Sequence, residues 1–136
     1  MTYFGPGCAG ALGVPGIEPV GRSRPRLGST LDVEVTNLAT NLGGLFIGFS
    51  NTSSLFGALP FDLTAINMPG CLLRTDPLVA VSLLGTNNSA QFSLSMALST
   101  SLAGARFYLQ AISIDPPSNG FGAVMSDALA AQIGSF

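Results

Sequence analysis

Strict alternation of apolar and polar residues predicts two half-buried strands in this chain. In residues 31–36 (LDVEVT), three apolar side chains alternate with Asp, Glu and Thr. In residues 91–99 (QFSLSMALS), Phe, Leu, Met and Leu occupy every second position, with Gln or Ser at most of the positions between them. Successive side chains of a strand point to opposite faces, so each segment presents one face to a core and one to solvent.

More continuous apolar runs predict further strands. Residues 42–50 (LGGLFIGFS) contain three Gly and are otherwise almost entirely apolar, which is typical of a central strand covered on both faces. The other runs, separated by Gly, Pro or Asn turns, are residues 61–66, 71–74, 78–84, 105–114 and 123–133. The last run includes residues 127–131 (DALAA), which favour a helix by composition. The preceding turn at residues 118–120 (SNG) favours a hairpin return, so a strand is predicted there.

This pattern predicts an all-β fold, an antiparallel β-sandwich of about seven to nine short strands, with a small barrel as the alternative. Residues 1–28 are dense in Gly and Pro and predict an extended, irregular lead-in. Residues 29–136 are predicted to form the sandwich. The whole chain is expected to be one domain, because 136 residues lie within the usual size range of a single domain.

The chain has two cysteines, Cys8 in the lead-in and Cys71 in the body. They are too far apart in sequence for a CxxC motif, and no His or further Cys is present to complete a zinc site. A disulfide that ties the lead-in to the body is therefore expected, with two independent buried thiols as the alternative. A disulfide indicates an oxidising compartment, and hence secretion or the cell surface.

The composition argues against most catalytic chemistry. Without His, the chain lacks the usual base of serine and cysteine hydrolases and a principal ligand of zinc. It has no glycine motif of the kind that binds nucleotides. Asp32 and Glu34 share one strand face, a spacing that a carboxylate pair in a glycosidase can use, but such residues are usually just solvated. We predict that the chain is not an enzyme and holds neither a cofactor nor a metal ion.

Charge restricts the partners of the chain. Charged residues make up 9% of the sequence, the net charge is −2 and there is no Lys, so nucleic acid is not an expected partner. No apolar run approaches the about 20 residues needed to span a bilayer. Arg22, Arg24 and Arg26 form the only basic cluster, on one side of an extended segment. They are predicted to discourage strand pairing as a solvated edge or to bind carboxylates of a neighbouring subunit or an acidic polysaccharide.

Several short segments resemble a family of bacterial modules. They are residues 3–10 (YFGPGCAG), 25–29 (PRLGS), 48–50 (GFS), 59–63 (LPFDL), 68–72 (MPGCL), 104–110 (GARFYLQ) and 126–129 (SDAL). In order and spacing they resemble the Gly- and Cys-containing β modules at the C-terminal ends of large secreted proteins of planctomycete-like and myxobacteria-like bacteria, over nearly the whole chain. The resemblance implies an extracellular β-sandwich with a Cys8–Cys71 bridge and no catalytic residues, used as an accessory, adhesive or anchoring module.

Two functional hypotheses follow. The first is an extracellular structural or interaction module that contacts another component of the cell surface or self-associates, head to tail into a fibre. The extended lead-in is the expected contacting segment, because it can pair with an exposed sheet edge of a neighbouring copy. A mean hydropathy of +0.51 with so few charges leaves little charged surface to keep copies apart. A monomer whose apolar residues all enter the core is the alternative. The second hypothesis is a carbohydrate-binding module, which needs exposed aromatic side chains in a groove.

Overall fold

The regular structure of this protein consists of strands joined by turns. The computed structural model describes residues 2–20, 30–54, 57–77, 79–95 and 106–132. Within these residues there are two short 3-10 turns, Leu63–Ile66 and Pro116–Ser118, and no α-helix. The strands are β1 (Thr2–Gly5), β2 (Gly16–Pro19), β3 (Thr30–Thr36), β4 (Leu42–Gly48), β5 (Ser53–Ser54), β6 (Gly57–Ala58), β7 (Phe61–Asp62), β8 (Leu72–Leu73), β9 (Val79–Leu84), β10 (Ala90–Ser95), β11 (Arg106–Ile114), β12 (Ala123–Met125) and β13 (Ala128–Gln132).

Two antiparallel sheets contain the nine longer strands of the described residues. The larger sheet has the order β1-β13-β11-β4-β9, with β12 also pairing with β11. The smaller sheet has the order β10-β3-β2. The four two-residue strands form two separate ladders, β5 with β6 and β7 with β8. The predicted all-β fold with a sandwich of short antiparallel strands is confirmed.

The main core lies between the two sheets. The apolar face of β3 contributes Leu31, Val33 and Val35, all fully buried, so the alternation in the sequence correctly identified this strand and its inner face. Facing them from the larger sheet are buried side chains such as Leu45 on β4 and Leu109 on β11. Burial of these apolar side chains is the main favourable contribution to holding the sheets together.

A second core covers the other face of the larger sheet. Phe46 of β4 and Ile112 of β11 lie on that face, and the segment 59–73 packs over them with Met68 and Leu73. Strand β4 therefore has neighbours on both sides and on both faces, as its continuous apolar run predicted. On the same strand, the backbone of Asp76 lies so close to Gly48 that a Cβ atom at position 48 would overlap the Asp76 carbonyl oxygen, which explains the glycine.

Residues 2–20 of the lead-in contain two short strands that the sequence did not predict, and the residues between these strands are irregular, as predicted. Strand β1 pairs with β13 at one edge of the larger sheet, and β2 pairs with β3 at one edge of the smaller sheet. The hydroxyl of Tyr3 in β1 donates to the carbonyl of Ile17 in β2 at 2.5 Å, which links the two sheets. Strand pairing with distant residues thus overrides the local preference of Gly and Pro for loops.

The predicted strand at residues 61–66 is wrong in its last four residues. Only Phe61–Asp62 is a strand, and Leu63–Ile66 forms a 3-10 turn. The Asp62 carboxylate accepts hydrogen bonds from the Thr64 N–H at 2.9 Å and the Thr64 hydroxyl at 2.6 Å. This side-chain cap satisfies a backbone donor and so stabilises the turn over continued strand.

The predicted final strand at residues 123–133 is present as two strands. The register shifts by one residue between the pairs Ile112–Met125 and Leu109–Leu129, which places a bulge around Ser126. The helix that composition favours at residues 127–131 does not form, because β13 pairs on one side with β11 and on the other with β1. The hairpin return predicted at residues 118–120 is confirmed by the antiparallel pairing of β11 with β12.

Candidate functional site

The two cysteines form a disulfide that joins the lead-in to the segment covering the larger sheet. Their Cα atoms are 5.1 Å apart, and the bond links residues 63 positions apart in the chain. Beside it, the Cys8 N–H donates to the Met125 carbonyl at 3.0 Å, and the Met125 N–H donates to Cys8 Sγ at 3.1 Å. Cys71 is buried in the second core. The predicted pairing is confirmed.

Two aspartates also fix the lead-in, and sequence reasoning missed both. Asp127 accepts a hydrogen bond from the Gly7 N–H at 2.8 Å, and Asp115 accepts one from the Ala11 N–H at 2.7 Å. Asp115 is almost fully buried. Each aspartate directly follows a strand or its bulge, at a position where a short carboxylate can bind free backbone N–H groups. The lead-in is therefore held by polar contacts as well as by the disulfide.

The charged residues singled out from the sequence do not form a joint site in the described part of the chain. Arg22, Arg24 and Arg26 lie outside the described residues. Asp32 and Glu34 lie on the face of β3 that points away from the main core, as the alternation predicted. The Asp32 carboxylate accepts a hydrogen bond from the Ser93 hydroxyl of the neighbouring strand β10 at 2.5 Å.

Strand β9 forms an exposed apolar edge of the larger sheet. It pairs with β4 over six consecutive residue pairs, from Leu42–Leu84 to Ile47–Val79. In the described part of the chain, β4 is its only hydrogen-bonded neighbour. Four of its six side chains are exposed, and Leu84 is 80% exposed opposite the exposed Leu42. The strand contains no charged residue.

A cavity of about 460 Å³ opens on the covered face of the larger sheet. The described side chains that line it are three Phe, two Leu, two Ile, two Met and one Pro, and we call it the apolar pocket. Met68 and Met125 are fully buried at its base, whereas Ile66 and Phe121 are 43% and 52% exposed at its mouth. The pocket thus extends from the second core to the surface.

Sequence reasoning missed the apolar pocket because its lining comes from separate parts of the chain. Phe46 belongs to β4, Ile66 to the 3-10 turn, Ile112 to β11 and Phe121 to the loop before β12. The only local signal was the continuous apolar run of β4, in which Leu45 and Phe46 point to opposite faces of the sheet and both are apolar. That signal predicts a covered second face but not a cavity in its cover.

No protein-family model, curated protein or solved structure matches this chain. The resemblance to C-terminal modules of secreted bacterial proteins therefore stays a prediction. The part of the chain that the structure describes contains no group of three or more His, Cys, Asp or Glu side chains that could hold a metal ion. Within that part, no helix is long and apolar enough to cross a membrane. The function is therefore argued from the edge strand, the disulfide and the apolar pocket.

The hydrogen bond between Tyr3 and Ile17 gives the first testable prediction. Burial, together with the negative charges of Glu18 and Asp127, raises the pKa of Tyr3 above its usual value. The unfolded chain therefore loses this proton first, so the stability that neutral Tyr3 provides is complete below about pH 10 and is lost as the pH rises above it. Tyr3→Phe is expected to lower the free energy of unfolding by about 0.5 kcal/mol at pH 7.

Urea denaturation between pH 7 and about pH 11 measures this effect. The chain has no Lys and its two cysteines are bonded, so its two tyrosines are the only side chains that usually ionise near pH 10. We expect Tyr3→Phe to weaken the alkaline loss of stability. The control Tyr108→Phe is expected to retain that loss. An alkaline decline in Tyr3→Phe as steep as in the unsubstituted protein would contradict the assignment.

Proposed function

We propose that this chain is an extracellular structural or interaction module that self-associates through the edge of its larger sheet at β9. The observation that carries this proposal is the exposed, uncharged strand Val79–Leu84, which pairs on one side with β4. The outer side of an edge strand presents backbone N–H and C=O groups that can pair with another strand. A second copy of the chain offers an equivalent strand.

The β1 and β2 edges are better protected against such pairing, which favours β9 over them as the contact. Strand β1 is short and has an irregular register between Tyr3 and Gly5. Strand β2 carries Glu18 and ends at Pro19, and both residue types discourage strand addition. Strand β9 has a regular register over all six residues and contains neither a charge nor a proline.

The lead-in was expected to supply the contact with a neighbouring copy. Its described strands instead pair with β13 and β3 of the same chain. The contact therefore moves in our proposal from the lead-in to β9. The Cys8–Cys71 disulfide supports an extracellular location, because such bonds persist in oxidising compartments.

Sedimentation velocity over a wide range of protein concentrations tests the proposal. The unsubstituted protein is expected to increase in mass with concentration. Ser82→Lys places a charge at an exposed position of β9. It is expected to weaken the association by about ten-fold or more, because pairing of the two β9 edges would bring a lysine of each copy to the interface. Ser118→Lys adds the same charge at an exposed position outside β9 and is expected to associate like the unsubstituted protein.

Two results would contradict this assembly model. A monomer at every concentration would remove self-association and leave adhesion to another surface as the function. Equal weakening by Ser82→Lys and Ser118→Lys would show that net charge rather than the β9 edge controls association.

The carbohydrate-binding alternative has weaker support. Exposed aromatic side chains do occur, since Phe49 and Phe121 are 66% and 52% exposed. The cavity beside Phe121, however, is lined only by apolar side chains among the residues that the structure describes. A sugar needs hydrogen-bonding side chains next to its stacking surface, because its hydroxyl groups lose water on binding.

A further inference from the structure

We infer that the apolar pocket is a binding site for a small, neutral, apolar molecule. This goes beyond self-association, because the pocket lies on the covered face of the larger sheet and β9 contributes no residue to its lining. Three properties of the pocket carry the inference. They are the chemistry of its lining, the positions of Arg74 and Arg106, and its size and depth.

The lining selects against polar ligands. All ten lining side chains are hydrocarbons or thioethers, so none offers a strong hydrogen-bond donor or acceptor. A hydroxyl, amide or charged group placed among them would lose its bonds to water without replacement. An alkyl or aromatic molecule loses no such bonds and gains dispersion contacts with the Phe and Met side chains.

The positions of the two arginines that the structure describes favour a neutral ligand over an anionic one. A fatty acid or other apolar anion is usually bound with a cation beside its carboxylate. Arg74 follows the lining residue Leu73, but its Nε donates to the Pro6 carbonyl at 3.2 Å, on the side of the lead-in. Arg106 is exposed at the first residue of β11. Neither side chain lines the pocket.

The size and depth of the pocket suit a small molecule. Its volume of about 460 Å³ lies within the range of about 300–1,000 Å³ found for ligand pockets. Four lining residues are buried, four are half-buried and two are exposed, so a ligand can enter from the surface and reach the second core. The buried Met68 and Met125 can adapt their side chains to its shape.

Hydrogen bonds hold the mouth of the pocket in place. The Phe121 N–H donates to the Asn67 carbonyl at 3.2 Å, which joins the two loops that flank the opening. In the second loop, the Asn119 side chain accepts from the Gly122 N–H at 2.7 Å and donates to the Ala123 carbonyl at 2.6 Å. A preformed opening lowers the ordering cost of binding.

Binding is tested with N-phenyl-1-naphthylamine, a neutral apolar fluorophore, on the Ser82→Lys variant so that self-association does not create apolar surfaces. We expect saturable binding of one molecule per chain. Displacement by 1-decanol is expected to be about ten-fold or more stronger than displacement by decanoate, which carries a charge into the apolar pocket.

Matched substitutions locate the site. Phe121→Asp places a charge at the mouth, and Phe49→Asp places the same charge at an exposed Phe outside the pocket. We expect the dissociation constant to rise by about ten-fold or more in Phe121→Asp and to stay unchanged in Phe49→Asp. Ile66→Asp, with Leu84→Asp as its control, repeats the comparison on the other side of the mouth, should the first variant fold poorly.

Three results with the Ser82→Lys protein would overturn the inference, and a fourth comes from comparing it with the unsubstituted protein. The first three are an absence of saturable binding, an equal loss in the mouth variants and their controls, and equal displacement by decanol and decanoate. Dye binding by the unsubstituted protein alone, at concentrations where it self-associates, would place the apolar surface in the assembly interface and would also overturn it. The first three results do not bear on self-association, which is measured separately by mass, and the fourth would support it.

Discussion

The Cys8→Ala/Cys71→Ala double variant is expected to lose about 4 kcal/mol of unfolding free energy. The disulfide links residues 63 positions apart, and in the chain-entropy model a constraint on a loop of this length restricts the unfolded chain by about that amount. Denaturant unfolding of the variant and of the unsubstituted protein measures the difference. The reduced, unsubstituted protein is the control, because it keeps both sulfur atoms and should show a similar loss.

The same variant is expected to open first at the lead-in. Hydrogen exchange of the Gly7 and Cys8 amides should accelerate more than exchange in β3, because those amides bond Asp127 and Met125 beside the disulfide. A loss of unfolding free energy below about 1 kcal/mol in the double variant would contradict the expected stabilisation by the disulfide. It would show that the aspartate contacts and the pairing of β1 hold the lead-in without the covalent bond.

The strands that the sequence predicts well are those whose burial pattern is local. In β3 every second residue is buried, so the period of two is visible in the sequence and identifies both the strand and its inner face. The disulfide was predictable for a different reason. A chain with two cysteines allows one intramolecular pairing, so only the alternative of free thiols had to be rejected.

The features that the sequence did not predict depend on contacts between distant residues. Strand β1 forms because it pairs with β13, where Tyr3 lies opposite Leu129. The Gly- and Pro-rich sequence of the lead-in does not reveal this distant partner. Residues 78–84 were predicted as a strand, but their position at a sheet edge depends on which strands lie beside them. The apolar pocket likewise depends on how the segment 59–73 and the loop before β12 cover the larger sheet.

Gln110 is one more feature set by distant contacts, and its replacement by Met is expected to lower the free energy of unfolding by about 3 kcal/mol. Its side chain is fully buried on β11. The amide oxygen accepts from the Arg74 N–H at 2.8 Å, and the amide nitrogen donates to the carbonyls of Leu72 and Ser126 at 3.0 and 3.1 Å. Met keeps the length of the side chain but leaves these three backbone groups without that partner, at a cost of about 1 kcal/mol or more each.

Ser113→Ala is the matched control for Gln110→Met. Ser113 is also a fully buried polar residue of β11, but its hydroxyl oxygen has no hydrogen-bond partner among the described residues. Its removal breaks no bond and relieves the burial of an unpaired polar group, so we expect unfolding free energy to stay within about 0.5 kcal/mol or to rise. Denaturant unfolding of both variants decides the matter. Similar losses in the two would mean that β11 is sensitive to any change in packing. A large loss confined to Gln110→Met assigns the stability to the hydrogen bonds that Gln110 makes with the backbone of Leu72, Arg74 and Ser126.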